Sequence, residues 1–397
     1  MDKVKNHSFP KEWGLELFHL VSTMNCRIGW QGLKQSEFTQ NPNEPYLITG
    51  MNFKDGKIRW DEVYHIPKKR YEEAKNIQLK QYDVLITKDG TIGKVLFVDK
   101  IPYPHEASLN SHLLVFRPIG KKYIPKFLFY QLQSKSFLDY VEENKSGSTF
   151  FGITQKAIGK YPVFLPPNPE QKSISQSLSD INELIDSLEN LIEKKKNIKQ
   201  GMLQELLTGK RRSKGFSGEW KNISFNDAFY ITAGGDLDKI SFSESQDDRH
   251  PFPIYSNSLI NSGLYGFSSK FQYEKESITI TARGTVGKAN ARSHKYSAIG
   301  RVLILKPIQK LDCFFVAEYI NNKIKFSIES TGVPQLTTPQ ISKYLIDLPE
   351  LDEQLVISNI LSDMDSEIQE LKQNRDKYIM IKQGMMQKLL TGEIRLV

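Results

Sequence analysis

The stretches "QGMLQELLTG" at Gln200–Gly209 and "QGMMQKLLTG" at Gln383–Gly392 are one helix ending written twice. Sliding the sequence on itself until Gly201 falls on Gly384 aligns Leu165–Arg212 with Leu348–Arg395 without a gap, and roughly half of these positions are identical. The identities include Glu170-Gln171 with Glu353-Gln354 and Leu178-Ser179-Asp180 with Leu361-Ser362-Asp363. Ungapped identity on this scale marks an internal duplication, so the chain is two copies of one plan.

Within the first copy, Ile174, Leu178, Ile181, Ile185, Leu188 and Ile192 step by four and three residues, which gathers them into one seam of an α-helix. The second copy repeats the seam as Ile357, Leu361, Met364, Ile368 and Leu371, with Tyr378 further on. Sustained four-three alternation is the coiled-coil pattern. Pro166, Pro167 and Pro349 close off what precedes each helix, and Gly209 and Gly392 stand where a C-terminal cap belongs. A helix from Glu170 to Thr208 is roughly 57 Å long at 1.5 Å per residue, too long for the interior of one domain. Each half has one such helix with one narrow apolar stripe, and the most economical burial is against the other copy. If the segment joining the helices is a compact domain with neighbouring termini, the pair runs antiparallel. Arg211 and Arg212 are expected to complement the end of the first helix.

The expected architecture is therefore α+β with a pseudo-two-fold internal repeat: a first domain at 1–157, a first helical region at 158–212, a second domain at 213–342 and a second helical region at 343–397. Both non-helical segments show short apolar runs entering tight turns, such as "YDVLITKDG" at Tyr82–Gly90 and "ESITITARG" at Glu276–Gly284. They share a skeleton and little detail. Trp13 answers Trp220, "LLVFRP" at Leu113–Pro118 answers "VLILKP" at Val302–Pro307, and Ile153-Thr154 answers Leu336-Thr337.

At 397 residues the chain has room for several domains. It carries a formal net charge of +8 and a pI near 9.0, which favours a polyanionic partner without identifying one. No apolar run approaches the length of a membrane-spanning helix, and "MDKVKNHSFPKEW" at the start lacks the apolar stretch of a signal peptide, so the expected location is the cytoplasm. Cys26 and Cys313 are too few for a disulfide framework and read as buried, reduced thiols. The seven histidines form no metal spacing, and no His or Cys stands in a recognisable nucleophile setting.

Three pairs of segments are candidates for contact with a partner. The first pair is Gly90-Thr91-Ile92-Gly93-Lys94 and Gly284-Thr285-Val286-Gly287-Lys288. A nucleotide-binding phosphate loop needs four residues between its glycines and a Ser or Thr after the lysine; here two residues separate the glycines and Val95 or Ala289 follows, which excludes ATP binding. Backbone N–H groups beside Lys94 and Lys288 would suit a nucleic-acid phosphate, and the neighbouring Lys88 and Arg283 are candidate groove or phosphate contacts. The second pair is "KSGSTFFGIT" at Lys145–Thr154, with Ser148 and Thr149, and "ESTGVPQLT" at Glu329–Thr337, with Thr331 and Gln335. The third is "YLITGMNFKDG" at Tyr46–Gly56 and "IYSNSLINSG" at Ile254–Gly263, where Thr49, Asn52, Ser256 and Asn257 are candidates for reaching base edges.

The two-copy plan resembles the DNA specificity subunits of type I restriction-modification systems. The likeness rests on the two "KQGMxQxLLTG" endings, the "LPxxxEQ" entries at Leu165–Gln171 and Leu348–Gln354, and the GTxGK turns, and it spans essentially the whole chain. The resemblance implies two target recognition domains held apart by an antiparallel coiled coil, each reading half of a bipartite, asymmetric site in double-stranded DNA. It implies that this chain holds no cofactor and that catalysis lies in partner chains. These are two adenine methyltransferase subunits using S-adenosylmethionine, and restriction subunits that use ATP and Mg²⁺ to translocate and cut DNA. It also implies that the copied helices dock the methyltransferases, with Gln200, Gly201 and Met202 and their counterparts Gln383, Gly384 and Met385 as the partner-facing positions. Two rivals are a helical assembly scaffold that reads no DNA, separable by a gel shift with the partner subunits, and a self-sufficient nuclease, which the missing metal-carboxylate cluster disfavours.

Overall fold

In the computed structural model the chain divides into two compact units, one made of residues 1–188 with 374–397 and the other of residues 189–373. The structure describes residues 10–28, 32–54, 56–147, 151–327 and 334–396.

Each unit is built around a four-stranded antiparallel sheet of the same order. In the first unit Ser22–Asn25, Leu113–Pro118, Val84–Thr87 and Val95–Phe97 lie side by side. In the second the order is Phe229–Ala233, Leu303–Pro307, Ser277–Ile280 and Ala289–Arg292. The matched strands "LLVFRP" and "VLILKP" take the same place in both, with their apolar residues buried. A second sheet in each unit, of three strands in the first and four in the second, contains one parallel pair, Tyr46–Ile48 with Ala107–Leu109 and Phe252–Tyr255 with Ser297–Ala298. A two-stranded ribbon then brings the ends of each domain together, Gly14 opposite Leu165 and Lys221 opposite Leu348. Neighbouring termini are thus a property of both domains, and each ribbon delivers the chain into a long helix.

The helices run Asn168–Leu206 and Leu351–Leu389. They pack in opposite directions. In the second unit Lys195 and Lys199 of the first helix reach Glu367 and Asp365 of the second, each at 2.6 Å, so rising numbers meet falling ones. The predicted seam is buried at Ile174, Leu178, Ile181, Ile185 and Ile192, and at Ile357, Leu361 and Ile368. Its first two residues in each copy join the core of the neighbouring domain: Ile174 and Leu178 in the first unit, Ile357 and Leu361 in the second.

The duplicated ending has the same seat in both units. Leu206 and Leu207 enter the core of the second domain, and Leu389 and Leu390 that of the first. Gly209 and Gly392 adopt φ of 65° and 72°, and the N–H groups of Arg211 and Ile394 return to the carbonyls of Glu205 and Lys388, a glycine-capped helix end. A Cβ on Gly209 would lie in contact with Trp220 at 3.4 Å, whereas one on Gly392 would collide with Pro10 at 2.5 Å and crowd Trp13 at 3.3 Å. Arg212 does not merely solvate the helix end, as expected. It makes a two-pronged bond to the buried Glu353 carboxylate, 2.7 Å on each prong, and Arg395 does the same to Glu170 at 2.6 and 2.8 Å. "LPxxxEQ" and "LLTG…R" are therefore two halves of one lock.

Candidate nucleic-acid interface

The GTxGK turns have one geometry. Thr87 closes the first: its carbonyl accepts from Gly93 N–H at 3.0 Å, and its hydroxyl accepts from Lys94 N–H at 3.0 Å. Thr281 closes the second in the same way, with Gly287 N–H at 2.8 Å and Lys288 N–H at 2.9 Å. Gly90, Gly93, Gly284 and Gly287 have φ of 72°, 84°, 77° and 97°, a region that glycine enters without penalty. These bonds correct one expectation. The N–H groups beside Lys94 and Lys288 are already taken by Thr87 and Thr281, and those of Gly90 and Gly284 by the carbonyls of Phe151 and Pro334, so they form no phosphate cradle. What the turns present outward is the side chains of Thr91, Lys94, Arg283, Thr285 and Lys288, all exposed.

All three pairs of segments converge. The turn of the first unit is flanked by the loop before the helix, since Ile153 N–H donates to Lys88 O at 2.8 Å and Asp89 bridges to Gly152. In the second unit Leu336 N–H donates to Ala282 O at 2.8 Å, and Arg283 bridges to the exposed Gln335. Ser148, Thr149 and Thr331 lie outside the described residues. On the other side of the turns sits the third pair: a Cβ on Gly50 would lie 3.3 Å from Thr87 Cγ2, and Asn257 Oδ1 accepts from Ala282 N–H at 2.7 Å.

Four proposed base readers have other employment. Thr49 and Asn52 are buried. Asn52 Oδ1 accepts from both Thr49 N–H and its hydroxyl at 2.8 Å, and Asn52 Nδ2 donates to Glu62 O at 3.1 Å. Asn257 spends its amide on Ala282 and Gly300, and the Ser256 hydroxyl donates to Gly263 O at 3.3 Å. These bonds shape the turns and engage all four side chains within their own units. Lys88 is half-buried with its ammonium 2.9 Å from Asp89, which also lies 3.3 Å from His112 Nδ1. Sequence reading missed His112 and Arg301, both exposed and both standing immediately before the copied strands "LLVFRP" and "VLILKP". Their matching place in the skeleton was the available signal.

Among the partner-facing positions, Gln200 and Gly201 are exposed, as is Gln383. Among the described residues, a Cβ on Gly201 or Gly384 would meet nothing within 4 Å beyond its own helix. Met202 and Met385 turn the other way and pack on the cores of the second and first units.

No group of three His, Cys, Asp or Glu suited to a metal occurs among the described residues. Cys313 is half-buried, and desolvation pushes its thiol up to about 12. No helix among the described residues is long and apolar enough to cross a membrane.

A duplicated scaffold with two dissimilar, basic-fringed surfaces is the plan of a DNA-recognition subunit. The chain matches the family model described as the type I restriction modification DNA specificity domain over residues 30–200 and 217–379, and it belongs to that family. It is 29% identical over 377 residues to a putative type I restriction enzyme specificity subunit of Methanocaldococcus jannaschii, covering 88% of this chain and 87% of the relative. A second specificity subunit of that organism is 23% identical over 354 residues, 81% of each chain. The fold matches the crystal structure of a type I restriction-modification S subunit from M. genitalium, with a TM-score of 0.65 at 15% identity over 97% of this chain and 96% of that one. It also matches the HsdS subunit of Thermoanaerobacter tengcongensis, with a TM-score of 0.52 at 16% identity over 98% and 99%. The chain is a type I specificity subunit, a non-catalytic component that recognises DNA sequence.

Proposed function

We propose that the two domains each read one half of a bipartite, asymmetric site in double-stranded DNA. The copied helices dock two identical adenine methyltransferase subunits, which bind S-adenosylmethionine, and through them restriction subunits that use ATP and Mg²⁺. Such a complex works on the DNA of the cytoplasm. The observation that carries the reading is the contrast between copied and uncopied parts. The Trp, Glu, Arg and Gly of the helix seats and the Thr-closed turns repeat in both units, whereas the rims around the turns do not. Identical partners need identical docking places, and an asymmetric site needs two different readers.

Gly201 and Gly384 support the docking. Glycine inside a helix costs about 1 kcal/mol relative to alanine, and among the described residues no atom outside the helix's own turns crowds either position. A partner backbone that approaches closely supplies the missing reason. Gly201→Leu combined with Gly384→Leu should leave the chain folded and abolish co-purification with the methyltransferase; undiminished co-purification would move the docking face elsewhere. For the site itself, mapping N6-methyladenine in the host genome with and without this gene tests the reading. Loss of one two-part motif supports it, and an unchanged methylation map refutes it.

A further inference from the structure

The three most exposed large apolar side chains among the described residues are Ile240, Met51 and Ile260, at 96%, 81% and 75%. Single exposed apolar residues are ordinary. Two of these three, however, occupy the same turn of the two units. Met51 follows the strand Tyr46–Ile48 and Ile260 follows Phe252–Tyr255, the strands that form the parallel pair of each unit's second sheet. Leu259, beside Ile260, is 53% exposed.

Both turns are held stiffly. Met51 sits in the short 3-10 turn Gly50–Asn52, closed by the buried Thr49–Asn52 bonds. In the second unit Asn261 and Ser262 both take left-handed conformations, with φ of 48° and 54°. Arg292, 5% exposed, anchors them: its Nη2 donates to Ser262 O at 2.7 Å, its Nε to Thr279 Oγ1 at 2.9 Å, and its guanidinium lies 3.4 Å from the Tyr255 ring centroid. Left-handed non-glycine residues and a buried guanidinium are each costly. What they achieve within the chain is to hold Leu259 and Ile260 out in solvent. Each turn abuts the lysine-bearing turn of its own unit, through Gly50 on Thr87 and Asn257 on Ala282.

On the footing that the domains read DNA, we propose that Met51 and Ile260 are specificity-determining residues, each making apolar contact with a base of its half-site. The apolar feature that base pairs offer in the major groove is the thymine 5-methyl group, and that is the group each tip meets. Lysines of the adjacent turn hold the backbone, and the apolar tip tells thymine from the other bases. The polar candidates of these same turns, Thr49, Asn52 and Asn257, serve to aim the tip.

The test uses the chain assembled with its methyltransferase subunits and a duplex carrying the mapped site. Met51→Ala should weaken binding to the site about tenfold, a loss of about 1.4 kcal/mol, with binding to random DNA and the salt slope unchanged, while Met51→Leu retains affinity. Replacing one thymine of the corresponding half-site by deoxyuridine should weaken the wild-type complex by a similar factor and the Met51→Ala complex no further. Ile260→Ala should behave likewise at the other half-site. The proposal is overturned if neither alanine variant changes site binding, or if the uracil and alanine effects multiply at every thymine. A wild-type complex that does not distinguish the site from random DNA would overturn the DNA-reading role beneath it, a separable result.

Discussion

The two units keep the same frame and differ at its edges, even where the sequence is copied. Glu170 accepts from Arg395 and also from Trp13 Nε1 at 3.2 Å, whereas Glu353 is held by Arg212 while the buried Trp220 Nε1 has no hydrogen-bond partner among the described residues. Gly93 has Leu138 at 3.5 Å from the place of a Cβ, whereas Gly287 has the Phe326 ring at 2.7 Å. Duplication thus conserved the seats and the turn closures, and left each domain to pack its own loops around them. Stability should depend on the shared frame, with unequal tolerance in the two copies, and sequence choice on the unshared rims.

The largest stability effect expected is at the second lock. Arg212→Ala leaves the buried Glu353 carboxylate with neither ion pair nor substitute donor among the described residues and should cost about 3 kcal/mol in chemical denaturation. Arg395→Ala should cost less, because Trp13 still donates to Glu170; equal losses would deny the tryptophan that role. Next is Gly287→Ala. Left-handed backbone costs about 1–2 kcal/mol for a residue with a Cβ, and displacing the Phe326 ring adds about 1 kcal/mol. Gly93→Ala carries the first cost alone, so an unfolding midpoint lowered equally in both variants would break the contrast. Trp13→Phe removes a donor from a buried carboxylate and should cost about 1.5 kcal/mol, whereas Trp220→Phe, which removes no bond, should be close to neutral. The smallest effect is on binding rather than folding. Lys94→Ala and Lys288→Ala should each weaken all sequences alike and reduce the salt slope by about 0.9. A variant that relaxed one half-site at unchanged slope would make its lysine a base reader.

The helices were legible because their signal is local: a four-three seam, proline before and glycine after. The common skeleton was legible too, through Trp13 and Trp220 and the matched strands. The employment of polar residues was not. Asn52 looks like a surface residue until Glu62 O is brought to its amide, and Asn257 until Ala282 and Gly300 are. Arg212 reads as a helix-end cation until Glu353, far along the chain, folds onto it. The N–H groups of the GTxGK turns looked free because Thr87 and Thr281, at the ends of the preceding strands, had not been recognised as their acceptors. In each case the deciding partner lies on another element, where spacing and periodicity carry no information.

The central claim is that frame and reading surface are separable, each domain reading one half-site. The ribbons offer the graft points, since Gly14–Leu165 and Lys221–Leu348 close the two domains in the same register. A chain in which residues 14–165 replace residues 221–348 has two copies of one reader on two equivalent helices. N6-methyladenine mapping in cells carrying that chain should return an inverted repeat of one original half-site, with the other half-site gone. Methylation that kept the original asymmetric motif would contradict the account.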